Sequence, residues 1–280
     1  MRHLLLAPLA IVLSLPLSAS AQILNVTPQT LDGWKVSGGD KNALSSQTQL
    51  TLPAGAQLSR DFPKSAVIVH LVTQPAFSED ATEWPIIGVG PVALTIIRKD
   101  GQGQLMLVID ETTVKELPWS VPLDKQGSTA DLVLAYDPQS GTGLVSYQER
   151  MQVFDAPAST RPSEVWLSAG DKSPWPLVSM EVVLLSNNSQ STGQYGDSGS
   201  ASAKQNSAAK LLTAVDGLLG KAGAGGVPVA TTIDTAKTPS VNTISTLEVF
   251  TPPSVHRVRI VGAIRATLER NQSNEGGRSP

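Results

Sequence analysis

The chain has 280 residues, no cysteine, 40% hydrophobic residues and a formal net charge of −3. Without cysteine there is no disulfide staple, no thiolate metal site and no acylated lipoprotein anchor, so the fold must stand on apolar burial. Charge is uneven: residues 22–188 carry 11 Lys+Arg against 18 Asp+Glu, a net of −7, whereas residues 189–280 carry 9 against 6, a net of +3. A mildly acidic body argues against nucleic acid or an anionic membrane surface as its partner.

Met1-Arg2-His3 is followed by the apolar run Leu4–Leu17 and by Ser18-Ala19-Ser20-Ala21. A short basic end, an apolar stretch interrupted by Pro8 and Pro16, and a small-residue site together predict a secretory signal peptide over 1–21. The mature chain then begins at Gln22. No later run reaches the roughly 18 apolar residues of a transmembrane helix. The expectation is an exported protein, periplasmic or extracellular, with no membrane insertion once the leader is removed.

Residues 22–188 hold all five tryptophans and most of the β-branched runs. Predicted strands are Ile23–Val26, Trp34–Ser37, Thr48–Leu52, Ala66–Val72, Ile86–Gly88, Val92–Arg98, Gln104–Ile109, Leu132–Tyr136, Gly143–Tyr147, Gln152–Phe154, Glu164–Ser168 and Leu177–Leu185. Turn chemistry such as Lys99-Asp100-Gly101-Gln102-Gly103 separates them, and no amphipathic helix intervenes, which predicts an all-β sandwich or barrel. Ala66–Val72 and Leu105–Ile109 are apolar on both faces, the pattern of strands covered on two sides. Between Leu132–Tyr136 and Gly143–Tyr147 lies Asp137-Pro138-Gln139-Ser140-Gly141-Thr142, where proline and glycine set turn dihedrals. This predicts an antiparallel hairpin.

Beyond residue 188 the composition changes. Ser189–Ser202 is Ser/Gly-rich and reads as a linker. Leu211, Leu212, Val215, Leu218 and Leu219 then follow helical spacing, predicting a helix over 204–219 that Gly220 stops. A second helix over 254–270, capped by Ser254 after Pro252-Pro253, would put Val258, Val261, Ile264 and Leu268 on one stripe with Arg257 within it, while the β-branched run Val255–Val261 equally fits a short strand. The tail over 189–280 is thus expected to be mostly disordered, with two isolated helices.

The run Asp131–Asp137, its Gly-containing turn and Leu144–Tyr147 resemble the central hairpin of laminin-G-like domains, of the concanavalin A-like lectin/glucanase superfamily. Ala56–Phe62 with the Ala66–Val72 strand, Val92–Ile97 with Leu105–Ile109, and Glu164–Gly170 with Val178–Leu185 resemble further strand pairs in the same order. The resemblance covers about residues 30–186. It implies a two-sheet antiparallel jelly-roll sandwich and a glycan or protein surface as partner. It also raises a calcium ion at a loop rim, for which Asp80, Glu83 and Asp171 are the candidate ligands.

Catalytic chemistry is weakly provided for. Glu79-Asp80-Ala81-Thr82-Glu83 contains carboxylates, but Pro75, Ser78 and Pro85 around it predict a solvated loop rather than paired acids on one strand face. His70 shares strand parity with Ile68 and Val72 and reads as a packed histidine, while His256 lies in the tail. No catalytic residue and no cofactor are expected, so the chain reads as a non-enzymatic binding module. The alternatives are a structural envelope component whose tail docks on a partner, and a glycan-cleaving enzyme. Trp84, Trp119 and Trp175 adjoin prolines in predicted loops and are the candidates for stacking on a sugar face. Trp34 and Trp166 fall in strand patterns and are expected in the core.

Overall fold

The computed structural model describes residues 21–74, 84–123, 129–148, 150–159, 162–185, 201–222 and 253–276. Its strands are β1 (Ala21–Asn25), β2 (Lys35–Ser37), β3 (Thr51–Leu52), β4 (Gln57–Phe62), β5 (Ala66–Thr73), β6 (Ile86–Val89) and β7 (Val92–Lys99). They continue with β8 (Gln102–Ile109), β9 (Thr113–Val121), β10 (Ala130–Asp137), β11 (Thr142–Tyr147), β12 (Arg150–Asp155), β13 (Ser163–Ser168) and β14 (Trp175–Leu185). A short helix α1 (Lys41–Ser45), capped by the Asp40 side chain, precedes β3, and the tail contributes α2 (Ala201–Ala222) and α3 (Pro253–Gly276).

The strands form two antiparallel sheets. The first runs β1-β14-β5-β10-β11-β12 with β3 added to β14, and the second runs β2-β4-β13-β6-β7-β8-β9. Between them lies the main core, filled by the inward faces of both sheets and including Trp34, Leu58, Val69, Leu105 and Leu134. The expected two-layer β-sandwich is the fold. Strands β1 and β14 pair from Ala21↔Leu185 to Asn25↔Glu181, so the first strand closes against the last.

Strands apolar on both faces receive their second cover from the tail. In β5, Val67, Val69 and Leu71 face the main core, while Ala66 and Ile68 join an outer cluster with Val133, Ala135, Leu144 and Val183 that Leu211 and Val215 of α2 complete. In β8, Leu105 and Leu107 face inward, and Met106 and Val108 form a second outer cluster with Ile86, Ile97 and Trp166 beneath Ile260, Val261 and Ile264 of α3. The helices were expected to be isolated. They lie instead on opposite outer faces of the sandwich, because a doubly apolar strand left open on one side would expose its surface to water.

Polar contacts fix both helices. Ser207 of α2 donates to Asp137 Oδ2 at 2.5 Å, and Lys204 reaches Asp155 at 2.9 Å. Asp137 also takes the Gln139 backbone N–H and the Ser140 hydroxyl, so the β10–β11 turn and the helix share one carboxylate. Gly141 closes that turn at φ 68°. Arg257 of α3 is buried and donates to the Ser168 hydroxyl at 2.9 Å, and Arg259 reaches Glu111 at 2.9 Å. Gly220 does not end α2, which continues to Ala222, and α3 runs from Pro253, at a first-turn position proline tolerates, to Gly276.

Strand β9 was not expected. Its Pro118 cannot donate to a ladder, and the strand survives because it is the edge of its sheet and bulges there: Met106 opposes Glu116, but Gln104 opposes Ser120. The Gln104 side-chain amide fills the gap by donating to the Leu117 carbonyl. No helix among the described residues is long and apolar enough to cross a membrane.

Candidate functional site

Strand register gathers distant segments at one end of the sandwich. In the first sheet, β5 ends at Thr73, where β10 begins at Ala130 and β14 at Trp175–Leu177. In the second, β6 begins at Ile86 opposite Ser168, where β13 ends, and opposite Thr95 of β7, while the end of β9 pairs with the start of β8. A void lined by Thr73, Ile87, Thr95, Leu132 and Trp175 spans the two sheets and aligns these ends. Trp84, Trp119, Asp171 and Trp175 therefore belong to the same end. Asp80 and Glu83 lie outside the described residues, in the connection between Gln74 and Trp84.

The three tryptophans proposed for sugar stacking are buried: Trp84 is 9% exposed, Trp119 6% and Trp175 4%. Two of them are not in loops. Trp119 lies in β9 and Trp175 opens β14, where its indole N–H donates to Thr73 Oγ1 at 2.7 Å. Thr73 Oγ1 in turn donates to the Pro176 carbonyl at 2.8 Å, so the polar edge of the indole is satisfied inside the core. Trp84 sits beneath α3 in the outer cluster with Trp166 and Ile264. None of the three offers an open ring face in this conformation. Of the three, only Trp175 lines the void between the sheets, which at about 10 Å³ is water-sized rather than ligand-sized.

Asp171 is different. Its side chain is 60% exposed, with its Oδ1 3.9 Å from Nε of the buried Arg257. No group of three His, Asp or Glu side chains with metal-holding geometry occurs among the described residues. The helix α3 thus reaches the candidate end twice, through Arg257 beside Asp171 and through the apolar cover over Trp84.

A perturbed histidine lies elsewhere, on the outer face of the first sheet. His70 of β5 is 8% exposed, as its strand parity predicts. Its Nε2 is 2.8 Å from Asp131 Oδ1 of β10, and its Nδ1 is 3.7 Å from Glu181 Oε2 of β14. Burial, the largest single influence, pushes the imidazole pKa down. The hydrogen bond and charge of Asp131, joined by Glu181, outweigh it and hold the pKa above the ordinary value. Asp131 holds Nε2 in a hydrogen bond, and Glu181 stands near Nδ1 as a second negative charge. The arrangement is a cross-strand clamp over β10, β5 and β14. Nothing local in the sequence marks Asp131 and Glu181 as its partners, since only sheet order makes them neighbours.

No family model matches the sequence, and no curated protein sequence matches it. Among solved structures, the chain is similar to the exoplasmic/lumenal domain of VIP36 in a Ca²⁺/Man3GlcNAc-bound form, at 9% identity over 62% of this chain and 93% of that one, TM-score 0.43. It is also similar to a lectin from Bauhinia forficata in complex with GalNAc, at 12% identity over 60% of this chain and 100% of that one, TM-score 0.40. The alginate lyase PA1167 from Pseudomonas aeruginosa is a third, at 11% identity over 46% of this chain and 71% of that one, TM-score 0.36. With all three scores below 0.5, these likenesses assign neither a family nor a ligand. The chain's own structure is a two-sheet antiparallel sandwich with a helix laid on each outer face.

Proposed function

We propose that this chain is an exported, non-enzymatic binding module that engages a glycan or a protein surface at the end of the sandwich where Trp84, Trp119, Asp171 and Trp175 are gathered. The observation that carries this reading is the covering of both outer sheet faces by the chain's own helices. With those faces taken and the interior filled, this reading assigns the partner to the end where Trp84, Trp119, Asp171 and Trp175 are gathered and where the exposed Asp171 lies. Connections set on a rigid sandwich are where such folds place recognition.

In this reading the three buried indoles stiffen this end of the sandwich, and contact with the partner passes to exposed polar groups such as Asp171. Asp171, with Asp80 and Glu83, is the proposed calcium-holding set, since carboxylates from separate loops suit a hard cation. Export rests on the leader predicted over 1–21, which places the protein in the periplasm or outside the cell.

A glycan array probed with the mature chain, with calcium and with chelator, tests the reading. Expected is retention on a defined glycan class that weakens at least tenfold in Asp171→Ala, with an unchanged melting temperature. Absence of retention on every glycan under both conditions removes the glycan reading. Retention untouched by Asp171→Ala, Asp80→Ala and Glu83→Ala moves the site away from this end.

A further inference from the structure

Three facts meet at Gln22. It follows the small-residue site Ala19-Ser20-Ala21, it belongs to β1, and it is exposed on the outermost strand of its sheet. Removal of the leader after Ala21, a step that rests on the export reading above, leaves glutamine as the first residue. Its α-nitrogen and its side-chain carboxamide carbon then stand at the two ends of a chain that closes to a five-membered ring.

We infer that Gln22 is a modification site and that the mature chain begins with pyroglutamate. The α-nitrogen attacks Cδ, a new N–Cδ bond forms, and the bond from Cδ to the side-chain nitrogen breaks. A proton passes from the attacking nitrogen to the departing one, which leaves as ammonia. The reaction needs no oxidant, reductant or co-substrate. It converts a terminal ammonium into a neutral lactam and so removes one positive charge.

The register of β1 makes this consequential. Gln22 pairs with Leu184, Ile23 with Val183, Leu24 with Val182 and Asn25 with Glu181. The first residue of the mature chain is already a rung of the ladder, with no overhang before it. Leu24 packs against the main core. An aminopeptidase begins at a free α-amine, and every residue it removed would delete a rung from a strand that retains only Gln22–Asn25 after cleavage. The lactam closes that route.

The test uses the full-length gene in an exporting bacterial host, followed by intact mass measurement and incubation with an aminopeptidase. The expected product has the mass of residues 22–280 less one ammonia, yields no sequence by Edman degradation and resists trimming. Gln22→Ala, with the leader site intact, is expected to begin with a free alanine and to lose residues from β1. A mature chain that begins at Gln22 with a persistent free amine overturns the modification while leaving the leader reading in place. A chain that begins at Met1 or at any other residue overturns the leader reading, and the modification with it.

Discussion

Replacing Ile264 with alanine tests whether α3 is part of the folded unit. Ile264 is fully buried against Ile86, Ile97, Met106 and Trp166 of the second sheet. Truncating a buried isoleucine to alanine costs about 2–5 kcal/mol, the lower half of that range applying where one wall can settle inward, as a docked helix can. A loss of about 2–3 kcal/mol corresponds to a fall in melting temperature of roughly 5–10 °C for a domain of this size. The sign is diagnostic, because alanine is the better helix former: if α3 were an independent appendage, the substitution would leave the body unchanged and strengthen the helix slightly. Thermal unfolding followed by far-ultraviolet circular dichroism and tryptophan emission separates the cases, since Trp84 and Trp166 lie beneath the helix. Ala266→Gly at an exposed position of α3 serves as a control, weakening the helix by about 1 kcal/mol without touching the interface. An unchanged body transition in Ile264→Ala, or a separate low-temperature loss of helix with no change in tryptophan emission, refutes the reasoning.

Gly88→Ala is expected to destabilise, because a Cβ there would stand 2.1 Å from the Trp166 indole. Overpacking of this kind costs about 1–3 kcal/mol, read as a lower midpoint in urea; an unchanged midpoint would show that the indole moves aside freely. Gly217→Ala and Gly262→Ala should each stabilise by about 0.5–1 kcal/mol, since both glycines lie within helices and a Cβ at either meets open space. A lowered melting temperature in either variant would contradict the placement of that helix face. In an NMR titration His70 should titrate above 6.5, and Asp131→Asn should bring its midpoint down. Because the folded pKa is raised, the stability contributed by protonated His70 is fully present below about pH 6.5 and is lost as pH rises through the folded value. A midpoint below 6.5 in the unsubstituted protein would overturn the clamp.

How much of this was legible beforehand depends on the range of the interaction. Hairpins were legible because turn chemistry is local: Pro138 and Gly141 announced the β10–β11 turn, and the two strands pair antiparallel across it. Strand β9 was missed because Pro118 looks like a loop residue unless one knows that its neighbours form a bulged edge. Trp119 and Trp175 were expected in loops for a related reason. A proline beside an indole signals an irregular backbone, yet whether the ring then points outward depends on what the rest of the chain stacks above it.

Sequence by itself indicated a body of short antiparallel strands, some of them apolar on both sides, and helical apolar spacing in the tail at Leu211–Leu219. Periodicity carries that information, because side-chain direction repeats every two residues in a strand and every 3.6 in a helix. Only the tertiary structure decided that the stripes cover those strands, that Asp131 and Glu181 flank His70, and that Trp84 is buried under α3 while Trp119 and Trp175 are buried in the main core. Each of those outcomes joins residues far apart in the chain. Their pairing is set by which surfaces exclude the most water when brought together, and no stretch of the sequence read alone contains both partners.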